Sequence, residues 1–213
     1  MKDALPLLFL PDPAFGRGRS REEMARSALQ GGAASIQLRA KGLTVNELAD
    51  AGRVLQRLCR GFERPFFVND RVDVALACGA DGVHLGPGDM PPREARRVLG
   101  PGVLIGVSAY SSGDLKEAEA SGAAYVAVGA VYPTSTKKIG VLGLEGVRRI
   151  RRETSLPVVA IGGITPDNAA EVIAAGADGV AVISSLSSAE DIEGAARIFR
   201  HRIEAALARG AGL

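Results

Sequence analysis

The chain has 213 residues, 46% hydrophobic and 23% charged, an ordinary composition for a globular protein that fits a single domain over residues 1–213 with a sizeable core. Its 26 basic and 24 acidic residues leave a net charge of +2, so nothing in it asks for nucleic acid or another polyanionic partner. No apolar run reaches the roughly 18 residues of a membrane span. Residues 5–10 lack the basic flank and cleavage site of a leader, and Cys59 and Cys78 carry no CxxC spacing, so a cytoplasmic location with reduced thiols is expected.

Residues 5–10 read as a first strand, stopped by Pro11-Asp12-Pro13. Ser20-Arg21-Glu22-Glu23 is a capping-box start for a helix through Leu29, closed by Gly31-Gly32. Residues 34–38 form a second strand ending in charge at Arg39 and Lys41, and Thr44-Val45-Asn46-Glu47 opens a helix to about Leu58. Residues 65–68 are a third strand ending on Asn69-Asp70. A helix follows with Val72, Ala75, Leu76 and Gly79 on one stripe, then a fourth strand over 82–85 ending on Gly86-Pro87-Gly88-Asp89. Pro91 begins a helix to Leu99. Residues 103–107 are a fifth strand ending at Ser108, a helix covers 112–120, and residues 125–128 are a sixth strand. The long polar loop after it, through Pro133-Thr134-Ser135-Thr136-Lys137, has the character of a functional loop. A helix over 144–153, a seventh strand over 157–161, Gly162-Gly163, a helix through Ala175 and an eighth strand over 179–183 complete the series. Ser184-Ser185 and an amphipathic helix to about Leu207 follow.

Eight strand–helix repeats predict an α/β fold, a single eight-stranded parallel βα barrel of the TIM type. A doubly wound open sheet is the competitor, but no GxGxxG follows the first strand. Gly-Ala-Asp-Gly-Val at Gly79 and Gly176, with Gly122-Ala123-Ala124-Tyr125-Val126 between them, marks one helix-to-strand turn three times.

In such a barrel, polar residues at the carboxyl ends of the strands read as functional. That rim collects Gln37, Arg39 and Lys41, Asn69 and Asp70, His84 and Asp89, Ser108, Thr134 to Lys137, Gly162-Gly163 and Ser184-Ser185. Parallel geometry makes Asp70 and Asp89 neighbours, either as oxygen ligands for magnesium or as two helix N-caps. Gly162-Gly163 with Ser184-Ser185 suggests a phosphate between the last two loops; the bland alternative is a tight strand exit and a helix cap. Arg39 and Lys41 alternate along an extended segment, able to reach one ligand or simply solvated. His84 reads more readily as a satisfied core residue than as a catalyst, and His201 as solvated.

Gln37-Leu38-Arg39-Ala40-Lys41, Val68-Asn69-Asp70-Arg71, the run from Asp81 to Asp89, Gly106-Val107-Ser108, Pro133-Thr134-Ser135-Thr136-Lys137 and Ala160-Ile161-Gly162-Gly163-Ile164 occur in order. Over residues 36–185 this set closely resembles the thiamine phosphate synthase (thiamine-phosphate pyrophosphorylase) family. The resemblance implies a barrel transferase that joins hydroxymethylpyrimidine diphosphate to a thiazole phosphate, with pyrophosphate leaving first. It implies Mg²⁺ on Asp70 and Asp89 and phosphorylated small molecules as partners. It puts Gln37, Leu38, Arg39, Ala40, Lys41, Asn69, Ser108 and Lys137 on the pyrimidine substrate, with Arg39, Lys41, Ser108 and Lys137 in catalysis. Thr134, Ser135, Thr136, Gly163, Ile183 and Ser184 would bind the thiazole phosphate. Two stretches depart from the family pattern: Ala40 stands where members usually carry an acidic residue, and residues 138–142 lack the expected polar, proline-containing segment. The alternatives are a thiazole tautomerase, whose kind tends to lose the paired carboxylates and the Thr-Ser-Thr-Lys run, a phosphosugar epimerase or a phosphate-ligand sensor. Barrels of this size often associate, so a homo-oligomer is one open outcome that the sequence does not decide.

Overall fold

The structure, a computed structural model, describes residues 5–134 and 140–210. Eight strands alternate with helices: β1 (Leu7–Phe9), α1 (Arg21–Gln30), β2 (Ser35–Leu38), α2 (Val45–Gly61), β3 (Phe66–Asn69), α3 (Val72–Cys78), β4 (Gly82–Leu85) and α4 (Pro92–Leu99). The second half runs β5 (Leu104–Ser108), α5 (Ser112–Ala120), β6 (Tyr125–Gly129), α6 (Gly143–Glu153), β7 (Val158–Ile161), α7 (Pro166–Ala174), β8 (Gly179–Val182), α8 (Ser184–Ser187) and α9 (Ile192–Gly210). Each strand pairs in parallel with the next, and β1 pairs with β8, closing the barrel. Among the described residues no helix is long and apolar enough to cross a membrane.

Local signals start the helices as expected. Ser20 with Glu23 and Thr44 with Glu47 form reciprocal capping boxes, and Ser111 with Asp114 adds a third. The stripe expected on α3 is corrected: Val72, Val74, Ala75 and Cys78 are buried, whereas Leu76 is 59% exposed. Gly52 of α2 explains the rotation, because a Cβ there would lie 2.9 Å from the Cys78 sulfur, so Cys78 fills that notch and Leu76 turns outward. The single helix expected after Ser184-Ser185 is two, a short α8 and then α9. Cys59 and Cys78 are free and buried, and burial pushes the Cys59 thiol up to about 12.

The recurrent Gly-Ala-Asp turn is a staple at the amino-terminal end of the barrel. Asp81 donates its N–H to the Phe66 carbonyl and accepts the Phe66 N–H on its carboxylate at 2.8 Å. Asp178 does the same to Val158 and also holds Arg151 at 3.0 Å. The third copy has Ala124 at this place and keeps only the main-chain bond, to Ile105.

Along each strand the side chains alternate between two cores. Leu7, Phe9, Ile36, Leu38, Phe66, Val68, Val83 and Leu85 pack outward with the helices. Leu8, Leu10, Phe67, Tyr125, Val159 and Ala181 fill the inside. The two interior aromatics are accommodated by glycine on the neighbouring strand: a Cβ at Gly82 would lie 2.4 Å from the Phe67 ring, and one at Gly106 would lie 2.1 Å from Tyr125 Cζ. Gly106→Ala is therefore expected to cost about 2–3 kcal/mol by overpacking, read as a lower urea midpoint. In a Tyr125→Ala background the same change should cost far less; equal costs in both backgrounds would refute the steric account.

Candidate active site

The carboxyl ends of the strands open into a cavity of about 450 Å³, within the usual range for small-molecule sites. Its base is apolar, with Leu8, Val159 and Ala181, and its polar groups stand on two opposite arcs of the rim. From β2 to β5 come Gln37, Arg39, Lys41, Asn69, Asp70, His84 and Ser108; from β7 and β8 come Gly162, Gly163, Ile183, Ser184 and Ser185.

On the first arc the Asp70 carboxyl lies beside that of Asp89, which stands behind it and does not itself line the cavity. Neither caps a helix: α3 has Arg71 at its N-cap and α4 has Pro91, each without a side-chain cap bond, which removes the N-cap alternative. Asp70 leaves β3 with φ +66°, a left-handed conformation uncommon outside glycine though best tolerated by Asp and Asn, and its N–H is fixed to the His84 carbonyl at 2.8 Å. Asp89 folds back so that its carboxylate accepts the Gly86 N–H at 2.7 Å. Partial burial and the Asp89 carboxylate push the Asp70 carboxyl up from 3.8 to about 6, while Arg39 and Lys41 pull it the other way. Two carboxylates held together at this cost fit a hard divalent cation such as Mg²⁺, which takes one or two protein carboxylates and completes its shell with water and phosphate oxygens. No larger cluster of His, Cys, Asp and Glu with metal-holding geometry occurs among the described residues.

On the second arc the glycines make the tight strand exit that the sequence left open, and they make it against the loop after β6. Gly162 and Gly163 take φ +100° and +66°, and a Cβ on either would strike the loop after β6, at Ala130 or at Pro133 and Tyr132. They let that loop lie against the β7 exit, where Tyr132 N–H bonds the Gly162 carbonyl. Beside them α8 starts at Ser184 with Ile183 as its N-cap and no side-chain cap bond, so its first amides suit a phosphate.

Of the residues implied to touch substrate, Gln37, Arg39, Lys41, Asn69, Ser108, Thr134, Gly163, Ile183 and Ser184 line the cavity. Leu38 and Ala40 do not; their side chains pack into the outer core, which leaves them only main-chain groups to offer. Ser135, Thr136 and Lys137 lie outside the described residues. His201 is exposed.

Sequence reading missed a buried polar chain beneath the first arc. The Tyr125 hydroxyl bonds His84 Nδ1 at 3.1 Å, His84 Nε2 bonds Ser108 Oγ at 3.0 Å, and the buried Gln37 lies beside the phenol. Tyr125 and His84 also stack, with ring centroids 5.6 Å apart, and the edge of Phe67 meets the Tyr125 ring. The readable signal was Gly106, the register partner of Tyr125, a glycine amid bulky strand residues that makes room for a large inward side chain.

A family model described as thiamine monophosphate synthase matches residues 7–186. The thiamine-phosphate synthase of Moorella thermoacetica is 49% identical over 188 residues, covering 87% of this chain and 90% of that one. That of Methanoculleus marisnigri is 48% identical over 206 residues, covering 96% and 98%. The solved structure of a thiamine phosphate pyrophosphorylase from Pyrococcus furiosus superposes with a TM-score of 0.88 at 44% identity, covering 97% of this chain and 98% of its own. By sequence and fold together, the chain belongs to the thiamine monophosphate synthase family of transferases.

Proposed function

We propose that this chain condenses 4-amino-2-methyl-5-hydroxymethylpyrimidine diphosphate with 4-methyl-5-(2-hydroxyethyl)thiazole phosphate, giving thiamine phosphate and pyrophosphate, in a Mg²⁺-dependent, dissociative reaction. The observation that carries this reading is that one cavity joins a carboxylate–cation arc to a glycine–serine arc. Two phosphorylated ligands can then sit side by side, which supplies orientation without any nucleophilic side chain. The paired carboxylates would hold Mg²⁺, which supplies charge neutralisation for a departing diphosphate. Arg39 and Lys41 offer fixed positive charge on the same arc, where negative charge grows as the carbon–oxygen bond breaks. Gln37, Asn69 and Ser108 would hold the pyrimidine ring, and Gly163 with the first turn of α8 would hold the thiazole phosphate so that its ring nitrogen forms the new carbon–nitrogen bond. The apolar base keeps water from the exposed carbon between these events. Free, buried thiols suit a cytoplasmic, reducing setting, and a homo-oligomer is in keeping with a barrel of this size.

Asp70→Asn and Asp89→Asn are each expected to lower pyrophosphate release by at least a hundredfold with the far-UV spectrum unchanged; near-full activity of either variant would defeat the metal assignment. A thiazole tautomerase would release no pyrophosphate from the substrate pair, so the wild-type assay separates the two activities.

The raised Asp70 pKa sets a stability test with a definite sign. A carboxyl that binds its proton more tightly folded than unfolded contributes stability that is complete below about 3.8 and lost as pH rises through about 6. In EDTA at pH 8, Asp70→Asn should therefore be more stable than the parent by about 1 kcal/mol, scaled down because the group is half-buried, and this advantage should vanish near pH 3.5. Added Mg²⁺ should raise the Tm of the parent and not of the variant, and a parent indifferent to Mg²⁺ would count against a resident metal.

A further inference from the structure

We propose that Tyr125 is a positioning residue that holds His84 with its ring proton on Nε2, so that Ser108 turns its hydroxyl hydrogen toward the substrate. The inference rests on the transferase reading above, in which Ser108 meets the pyrimidine.

The direction of the hydrogen bonds follows from counting protons. Tyr125 is fully buried among apolar side chains, and its hydroxyl lies 3.1 Å from His84 Nδ1. An enclosed phenol keeps its proton satisfied by donating it to His84 Nδ1. If Nδ1 carried the ring proton instead, the phenol oxygen would accept it and the phenol's own hydrogen would be stranded among apolar side chains, at a cost of about 1–3 kcal/mol. A bare Nδ1 puts the proton of the neutral ring on Nε2, which donates to Ser108 Oγ across 3.0 Å. With a lone pair of Oγ so occupied, the serine proton is free to point into the cavity that Ser108 lines.

Packing alone does not call for this arrangement. Phenylalanine would fill the space of Tyr125, yet the barrel buries a phenol, an amide and an imidazole together, with Gln37 only 3% exposed, and carries glycine at 106 to admit them. The chain has one accessible end, Ser108 at the cavity, and its other end is the enclosed Tyr125 hydroxyl. A polar network buried at one end and open to the site at the other is what a device for fixing donor and acceptor directions requires.

The protein has two histidines, and His201 is exposed, so ¹⁵N-histidine labelling reads His84 directly. Wild type should show a neutral ring protonated on Nε2 at pH 7.5. Tyr125→Phe should shift that ring toward the Nδ1–H form and lower kcat/KM for the pyrimidine diphosphate about tenfold or more. The KM for the thiazole phosphate and the Mg²⁺-induced rise in Tm should stay within a factor of two and a degree, respectively, of wild type. His84→Gln, which keeps a donor near the Nε2 position, should lose less activity than His84→Asn. An Nδ1–H ring in wild type overturns the proposal, as does Tyr125→Phe with tautomer and rate both unchanged; should that variant not fold, the wild-type tautomer decides alone. A wild-type protein that shows the Nε2–H ring but no turnover would defeat the transferase reading and leave the tautomer assignment standing.

Discussion

A closed parallel sheet has one way to fill its inside, which is with every second residue of each strand. That constraint governs this molecule from end to end. At the lower level the inward residues are Leu8, Phe67 and Tyr125, so the tube is packed. Two residues further along the same strands the inward positions are Leu10, Asn69 and Ala127, joined by Arg39, Gly86 and Ser108 from their neighbours, and the tube opens into the cavity. The site is therefore the unfilled top of the barrel interior, and parallel pairing puts every strand's carboxyl end there at once.

What is placed at that top works against stability. Asp70 adopts a left-handed backbone conformation, lies half-buried, and is held against a second carboxylate. The positive groups Arg39 and Lys41 soften this arrangement without cancelling it, since the Asp70 carboxyl still titrates well above its ordinary range. Strain and like charge gathered on one rim mark a place where binding, rather than folding, supplies the compensating interaction. The staples at the other end are the reverse case: Asp81 and Asp178 have their carboxylates bonded to main-chain N–H groups, and there the barrel is stitched shut.

The glycines show how one residue type serves two ends. Gly82 and Gly106 yield room inside the barrel to Phe67 and Tyr125, and Gly162 and Gly163 yield room outside β7 to the loop after β6. In each case the absent Cβ is needed by a protein neighbour, so the phosphate reading of the second arc rests on Ser184, Ser185 and the uncapped start of α8 more than on the glycine pair.

Much of this was legible in the chain itself. Periodicity, capping boxes at Ser20 and Thr44, and the recurring Gly-Ala-Asp turn determine eight strand–helix units, and those units leave a parallel barrel as the simplest closure. Once the barrel is granted, a polar residue just past a strand must fall on the rim, so Asp70 and Asp89 could be paired before any coordinates. Which face each residue presents could not be read so simply. Leu38 and Ala40 sit within the same motif as Arg39 but point to the outer core, because successive strand residues face opposite sides. Leu76 faces solvent because a notch at Gly52, on another helix, takes Cys78 instead. The bonds linking Tyr125, His84 and Ser108 join three different strands. Local sequence determines which elements form and where they end, since those depend on neighbours a few residues away; orientation and partnership depend on atoms brought from distant strands, and only the closed barrel decides them.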